Sequence, residues 1–140
     1  TNRINPIVSF PGSGPVLFGD KTGLASPSAF DRINVRRLFL NVEKRARALA
    51  ESVIFEQNDA VTRSNFNSAI ASYLSEIQAR RGVTDYLVVC DGTNNTPEVI
   101  DRNEFVAELY LKPTRSINYV TVTVTATKTG VSFEEVVGRG

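Results

Sequence analysis

The stretch SNFNSAIASYLSEIQARRGVTDYLVVC, residues 64–90, contains the change of hydrophobic period that decides the fold class. In its first half, apolar residues lie three and four positions apart, as on one face of an α-helix: Phe66, Ala69, Ile70, Tyr73, Leu74 and Ile77. Thr62 or Ser64 can cap the start of this helix, and Gly82 can end it. The continuous apolar run Tyr86–Cys90 then predicts a strand covered on both faces.

A second amphipathic pattern lies upstream and predicts a helix over residues 34–55. Asp31 and Asn34 are its candidate N-caps, and Asn58 with Asp59 interrupts the pattern beyond its end. The predicted helix has one apolar stripe: Val35, Leu38, Phe39, Val42, Ala46, Leu49, Ala50 and Val53.

Two alternating patterns lie downstream and predict strands over residues 104–112 and 117–127. On the first strand, Phe105, Ala107, Leu109 and Leu111 share one face. On the second, Val120, Val122, Val124 and Ala126 should face the core, whereas the intervening Tyr and Thr residues form a polar, β-branched face. The elements together predict an α+β fold, with two helices packed on a small, mainly antiparallel sheet.

The two ends of the chain are predicted to be extended arms around a compact domain of residues 32–129. Residues 1–31 are rich in Pro, Gly and Ser, which disfavours a helix. Residues 130–140 are too few to have a core of their own and are predicted to be a C-terminal tail that frays or docks elsewhere. They are also a candidate linking arm.

The long final strand, if its edge were open, would favour strand donation between copies. Arms that wrap their own domain fit the residues equally well. The candidate subunit-linking residues are Ile7, Val8, Phe10, Val16, Phe18, Tyr119, Thr121, Thr123, Val131, Phe133 and Val136.

Composition excludes several classes of site. The chain of 140 residues has no His and one Cys, so common zinc sites and Ser-His or Cys-His nucleophile systems cannot be built. No apolar run approaches the ~18 residues that span a bilayer, so no membrane insertion is expected. No signal peptide opens the chain and it contains no Met, so we expect a fragment or a processed product.

The net charge of +1 is unevenly distributed along the chain. Residues 1–84 contain 11 basic and 7 acidic residues, a balance of +4, whereas residues 85–140 contain 5 and 8, a balance of −3. Oppositely charged halves can pair with copies of the chain or with a partner, although a chance distribution explains the numbers equally well.

Two patterns suggest enzymatic sites. Residues 14–22, GPVLFGDKT, approach the phosphate-loop pattern, but Asp20 separates the second Gly from Lys21, and prolines on both sides disfavour the required strand and helix. Asp91 with Asp101 could form a carboxylate pair, but acids in a loop rich in Asn, Thr and Gly usually cap local backbone N–H groups. We therefore expect no catalytic residue, metal or cofactor.

The first predicted helix has a basic face, with Arg37, Lys44 and Arg47 nearly opposite the apolar stripe. A solvated face with local ion pairs is the simplest interpretation, followed by an acidic protein partner. Direct contact with nucleic acid ranks third, because Glu43 and Glu51 interrupt the face and no exposed aromatic residues alternate with the bases.

Ordered motifs extend over nearly all of the chain. They include Ile4-Asn5-Pro6-Ile7, Leu17-Phe18-Gly19-Asp20-Lys21-Thr22, Phe30-Asp31-Arg32-Ile33-Asn34-Val35-Arg36-Arg37-Leu38-Phe39, Phe55-Glu56-Gln57-Asn58, Asn94-Asn95-Thr96-Pro97 and Val99-Ile100-Asp101-Arg102-Asn103-Glu104-Phe105. In this order they resemble the tail sheath proteins of myoviruses, especially those of the T-even phages, in their C-terminal part.

The resemblance implies a structural polymer subunit of the virion tail, not an enzyme. Such subunits stack as six-fold rings around a tail tube, are assembled in the host cytoplasm, and contract to drive the tube through the host envelope. The resemblance also implies strand exchange between neighbouring subunits through extended ends. It makes the tail tube protein the expected partner of Arg37, Lys44 and Arg47. A related injection system of the R-type pyocin kind is the alternative function, and a nucleotide-binding enzyme is a remote one.

Overall fold

A computed structural model describes residues 4–26, 28–114, 120–127 and 129–137. In chain order its elements are β1 (Ile7–Phe10), β2 (Gly14–Leu17), α1 (Ile33–Val53), α2 (Ala60–Ala79), β3 (Val83–Val89), α3 (Pro97–Asp101), β4 (Phe105–Pro113), β5 (Val120–Thr127) and β6 (Gly130–Val137). Strands β1 and β2 form a hairpin, and the other four form an antiparallel sheet in the order β3-β4-β5-β6. The predicted α+β class is confirmed.

The core lies between α1, α2 and one face of this sheet. Strand β4 alternates strictly, with Phe105, Ala107, Leu109 and Leu111 buried and the residues between them half-buried. The ring of Phe105 lies edge-on to that of Phe66 from α2, with 5.1 Å between centroids. Because a strand turns successive side chains to opposite faces, β4 gives one face to the helices and leaves the other uncovered by them.

The helix ends differ from the predicted caps. Arg32 occupies the N-cap position of α1 without a capping side chain, and the Ile33 N–H donates instead to the Asp20 carbonyl at 2.6 Å. Helix α2 is capped by Asp59, whose carboxylate accepts from the Thr62 N–H at 2.7 Å, so capping by Thr62 or Ser64 was wrong. These hydrogen bonds also lower the pKa of Asp59, because they favour its charged form.

The left-handed residue that follows α2 lies one position before Gly82, which the sequence predicted to end the helix. Arg81, not the glycine, adopts the left-handed conformation, with φ of 61°. The Gly82 N–H donates to the Ile77 carbonyl at 2.9 Å and satisfies one of the last carbonyls of the helix. A left-handed Arg is uncommon, because its Cβ crowds the backbone.

One prediction about the strands was wrong, and the condition set for strand donation at the final strand is not met. Strand β3 is an edge strand with Leu87 58% exposed, so it is not covered on both faces. Strand β5 pairs with β4 on one side and β6 on the other, so its edge is not open. Among the described residues, the unpaired edges of the sheet belong to β3 and β6, because residues 130–137, predicted to be part of a tail that frays or docks elsewhere, supply the fourth strand.

A network of buried amides holds the start of β4 to the preceding loop. Asn95 is 2% exposed, and its side chain donates to the carbonyls of Asp91 and Val106 and accepts from the Val106 N–H at 2.9 Å. Asn58, between α1 and α2, donates to Asn95 at 3.1 Å and to the Glu104 carbonyl at 2.8 Å. The two side-chain amides therefore supply hydrogen bonds that a neighbouring strand would otherwise provide at this end of the sheet.

We predict that Asn95→Ala destabilises the domain by about 1–3 kcal/mol for each backbone group of Val106 that loses its partner. The Asp91 carbonyl still accepts from the backbone N–H of residue 95. Urea denaturation of this domain measures the change in the free energy of unfolding. Asn41→Ala is the control, because Asn41 is exposed on α1. Equal stability of the two variants would contradict a structural role for Asn95.

Candidate interaction surfaces

The β1–β2 hairpin is an exposed apolar element. Residues 4–19 contain no charged residue. Ile7 is 75% and Phe18 61% exposed, and the rings of Phe10 and Phe18 contact edge-on at 5.7 Å. Gly12 and Gly14, both with positive φ, allow the tight turn at the tip. Single exposed hydrophobic residues are ordinary, whereas a contiguous exposed apolar patch is typical of an interaction surface.

The hairpin has a fixed attachment to the domain. The Asn5 side chain donates to the Lys21 carbonyl at 2.8 Å and accepts from the Lys21 N–H at 2.9 Å. The preceding residue, Asp20, pairs with Arg32 at 2.6 Å, and its backbone carbonyl accepts from the Ile33 N–H at the start of α1. The base of the hairpin is therefore connected to α1 by side-chain and backbone bonds rather than by a free linker.

The phosphate-loop pattern and the carboxylate pair are explained by these local contacts. Residues 14–17 are strand β2, and Asp20 and Lys21 belong to the attachment of the hairpin. Asp91 accepts from the backbone N–H and hydroxyl of Thr93, which lowers its pKa. Within residues 4–26, 28–114, 120–127 and 129–137, no group of three potential metal ligands comes together.

The basic residues of α1 do not form one uniform surface. Arg37 and Lys44 are exposed, and in the described part of the chain neither forms an ion pair. Arg47 differs, because it pairs with Glu43 at 3.6 Å and lies over the Phe133 ring of β6 at 5.0 Å. The outward face of α1 thus includes Arg37, Lys44 and the half-exposed Leu40 between them.

The remaining linking candidates lie at different depths. Thr121 and Thr123 are half-buried on the face of β5 away from the helices, and Tyr119 lies outside the described residues. On β6, Val131 and Phe133 pack against the core, and Val136 is exposed. Arg36 of α1 pairs with Glu135 at 3.2 Å, which further attaches β6 to α1. Val8, Phe10 and Val16 belong to the hairpin.

Two surface features were not found from the sequence. Phe55, which belongs to a motif, is 95% exposed in the turn after α1. The outer edge of β3 was interpreted as part of a buried strand, because its apolar run contains no alternation.

No helix among the described residues is long and apolar enough to cross a bilayer.

Comparison with known proteins agrees with this architecture. The model of the family described as "Phage tail sheath C-terminal domain" matches residues 25–127. The chain belongs to this sheath family. It is 54% identical over 135 residues to the tail sheath protein of Vibrio phage KVP40, 52% identical to that of Enterobacteria phage T4, and 45% identical over 139 residues to that of Salmonella phage ViI.

The sheath domain covers a limited part of these relatives. The alignments include 96%, 96% and 99% of this chain but 20%, 20% and 22% of the relatives, so the chain spans about a fifth of their length. Among solved structures, the sheath complex of a contracted extracellular contractile injection system, PVC, is similar over 79% of the domain and 33% of that chain, at 26% identity and a TM-score of 0.70. The anti-feeding prophage baseplate shares the fold over 81% of the domain and 33% of that chain, at 24% identity and a TM-score of 0.71.

We predict that Gly19→Ala loosens the attachment of the hairpin. An added Cβ would lie 2.7 Å from the Asn5 Oδ1 atom, which accepts from Lys21, and 3.2 Å from the Asn5 backbone. Hydrogen exchange at the Lys21 amide should become at least about tenfold faster, as expected for the loss of one hydrogen bond worth about 1.4 kcal/mol. Gly23→Ala is the matched control, because nothing lies within 4 Å of its added Cβ. Unchanged exchange at Lys21 in Gly19→Ala would refute the contact.

Proposed function

We propose that this domain links subunits of a contractile tail sheath that polymerises around a tail tube and contracts to drive the tube through the host envelope. The observation that carries the proposal is the uncharged, exposed hairpin held by hydrogen bonds at its base to a sheath-family domain. Such an element has apolar side chains to bury, each worth about 1.5–3 kcal/mol when fully covered. Stacked six-fold rings and assembly in the host cytoplasm belong to the same proposal.

The proposed links between subunits would use both side-chain contacts and backbone hydrogen bonds. The hairpin candidates Ile7, Val8, Phe10, Val16 and Phe18 would contribute apolar contact to a neighbouring subunit. The open edges of β3 and β6 have backbone groups that can accept a strand from a neighbour. Strand β5, with Thr121 and Thr123, has both edges paired, so its contribution would come from its side chains. Tyr119 would add to the same face.

The C-terminal residues 130–140 are proposed as a linking arm through the outer side of β6. Val131 and Phe133 are half-buried against the core, so they would support the strand rather than reach a neighbour. Val136 is 53% exposed and would supply apolar contact to a partner. Because β6 already belongs to the sheet of its own domain, a strand from a neighbouring subunit could pair with its outer edge while the domain stays folded.

The tail tube protein is the proposed partner of the basic face of α1. Arg37 and Lys44 have no intrachain ion pair in the described residues, so their charges remain available for an acidic partner. Arg47 would contribute less, because Glu43 and Phe133 already engage it. Exposed pairs are worth about 0.2–1 kcal/mol each, which suits a contact that must break as the sheath moves.

We infer a structural role without enzymatic activity, in the tail of a virion. The family membership and the phage tail sheath relatives support this inference. The likeness to the PVC sheath supports a second candidate function, the sheath of a related contractile injection system. Detection of the complete gene product in purified virions would favour the first candidate over the second.

We predict that Ile7→Ser combined with Phe18→Ser prevents or strongly weakens sheath assembly by the complete gene product. Both residues are exposed, so the stability of the domain should change by less than about 0.5 kcal/mol. Electron microscopy and sedimentation should detect fewer tubes at equal concentration. The control is Val61→Ser, which removes an exposed apolar residue from α2. Normal tubes from the hairpin variant would contradict the linking role.

We predict that Lys44→Glu weakens binding to the tube protein at least about fivefold, because it replaces an attraction worth up to about 1 kcal/mol by a repulsion. Binding should also become less sensitive to salt, since fewer opposite charges remain. Lys21→Glu is the matched control, with the same charge change on the hairpin attachment. Equal tube binding by the two variants would exclude α1 as the tube-contacting face.

A further inference from the structure

A groove opens at the end of the domain where α1 finishes and β4 begins. Its cavity measures about 380 Å³. Apolar and acidic side chains from four segments line it: Val53, Ile54, Glu56, Asp59, Ile100, Glu104, Phe105 and Ala126. Phe55, 95% exposed, lies between two of these residues in the chain and projects into solvent. The groove therefore has an apolar floor beside an uncovered aromatic ring.

The same end of the domain is strongly acidic. Its described cations are Arg63 and Arg102, and both are engaged, Arg63 with Asn58 and Arg102 with Glu104 at 3.1 Å. Hydrogen bonds lower the pKa of Glu98 as well as those of Asp59 and Asp91, so these carboxyls are ionised at neutral pH. The acidic residues in the segments that form this end are Glu56, Asp59, Asp91, Glu98, Asp101 and Glu104.

The opposite end has a complementary cleft. Asn34, Arg37, Asn41, Arg81, Gly82 and Thr114 line a cavity of about 360 Å³ between the start of α1 and the end of α2. Arg81 is exposed and has no ion pair within the described residues. Its left-handed backbone is a conformation that Gly, the next residue, adopts at less cost. The cleft therefore contains an arginine at a position whose left-handed backbone conformation would favour glycine.

We propose that the acidic groove of one copy binds the Arg81 cleft of a second copy. Phe55 would be covered at this contact, and the carboxylates around the groove would face the guanidinium of Arg81. Charge complementarity selects a second copy, because the acidic and basic surfaces lie at opposite ends of the same domain. A contact between different surfaces is heterologous and repeats from copy to copy, as a polymer requires. The inference rests on the proposed sheath function and adds a contact independent of the hairpin.

Charge exchange in the complete gene product tests the contact. Glu56→Arg should raise the concentration needed for tube formation about tenfold, and Arg81→Asp should do the same. Asp suits position 81 because it tolerates the left-handed conformation. The double variant should recover most of the loss, since the attraction is restored with the charges exchanged. Glu51→Arg, with the same charge change on the outer face of α1, is the control.

Cross-linking tests the contact without depending on tube formation. Phe55→Cys on one copy should form a disulfide with Asn41→Cys on another, in a protein whose other exposed cysteines are replaced. Native Cys90 does not interfere, because burial raises the pKa of its thiol to about 12. Ser68→Cys on the exposed side of α2 should not cross-link to Phe55→Cys.

The outcomes separate this inference from the sheath proposal. Tubes that form equally well with Glu56→Arg, or a double variant no better than Arg81→Asp alone, overturn the contact and leave the sheath function intact. Cross-linked copies without any tubes support the contact and overturn the sheath function. Absence of the cross-link between Phe55→Cys and Asn41→Cys in assembled protein also overturns the contact.

Discussion

The structure depends on strand β4, which is central to the domain and has a strict alternation of buried and half-buried residues. Its inward side chains belong to the core cluster that also contains residues of both helices, and its backbone pairs with β3 on one side and β5 on the other. A shift of one residue in this register would turn Leu109 and Leu111 away from the core and Glu108 and Tyr110 into it. The buried amide of Asn95 holds Val106 at the start of the strand and so defines where the register begins.

This arrangement leaves exposed the sheet edges, the outer face of the sheet and the hairpin, which are the surfaces used in the functional proposals. A four-stranded open sheet necessarily has two edges, and helices on one face leave the other face to solvent or to a partner. The hairpin lies before α1 and outside the core, yet Asn5, Asp20 and Arg32 fix its base. A hairpin whose base is held by such contacts would lose less entropy on association, which fits the proposed linking role.

The sequence predicted the buried residues well where an element packs its apolar face against one neighbouring layer. The alternation of β4 and β5 and the stripes of α1 and α2 predicted most of the inward residues, because helices and strands turn their side chains with fixed periods. Ala69, predicted for the stripe of α2, is exposed. The predictions failed where partners are distant in sequence. The apolar run of β3 indicated a buried strand, although no strand in the described part of the chain pairs with its outer edge. The short segment of β6 indicated a tail, because eight residues alone do not reveal that β5 is available for pairing.

The amino-acid sequence by itself determined the α+β class, the apolar faces of the main elements and the absence of a His-based catalytic site, because these follow from local periodicity and residue types. Its ordered motifs also indicated the sheath family, which the family comparison confirmed. Only the tertiary structure decided which edges of the sheet are open, how Asn5 and Gly19 fix the hairpin, and that Phe55 adjoins an acidic groove. These features depend on contacts between residues far apart in the chain, and no local pattern specifies such contacts.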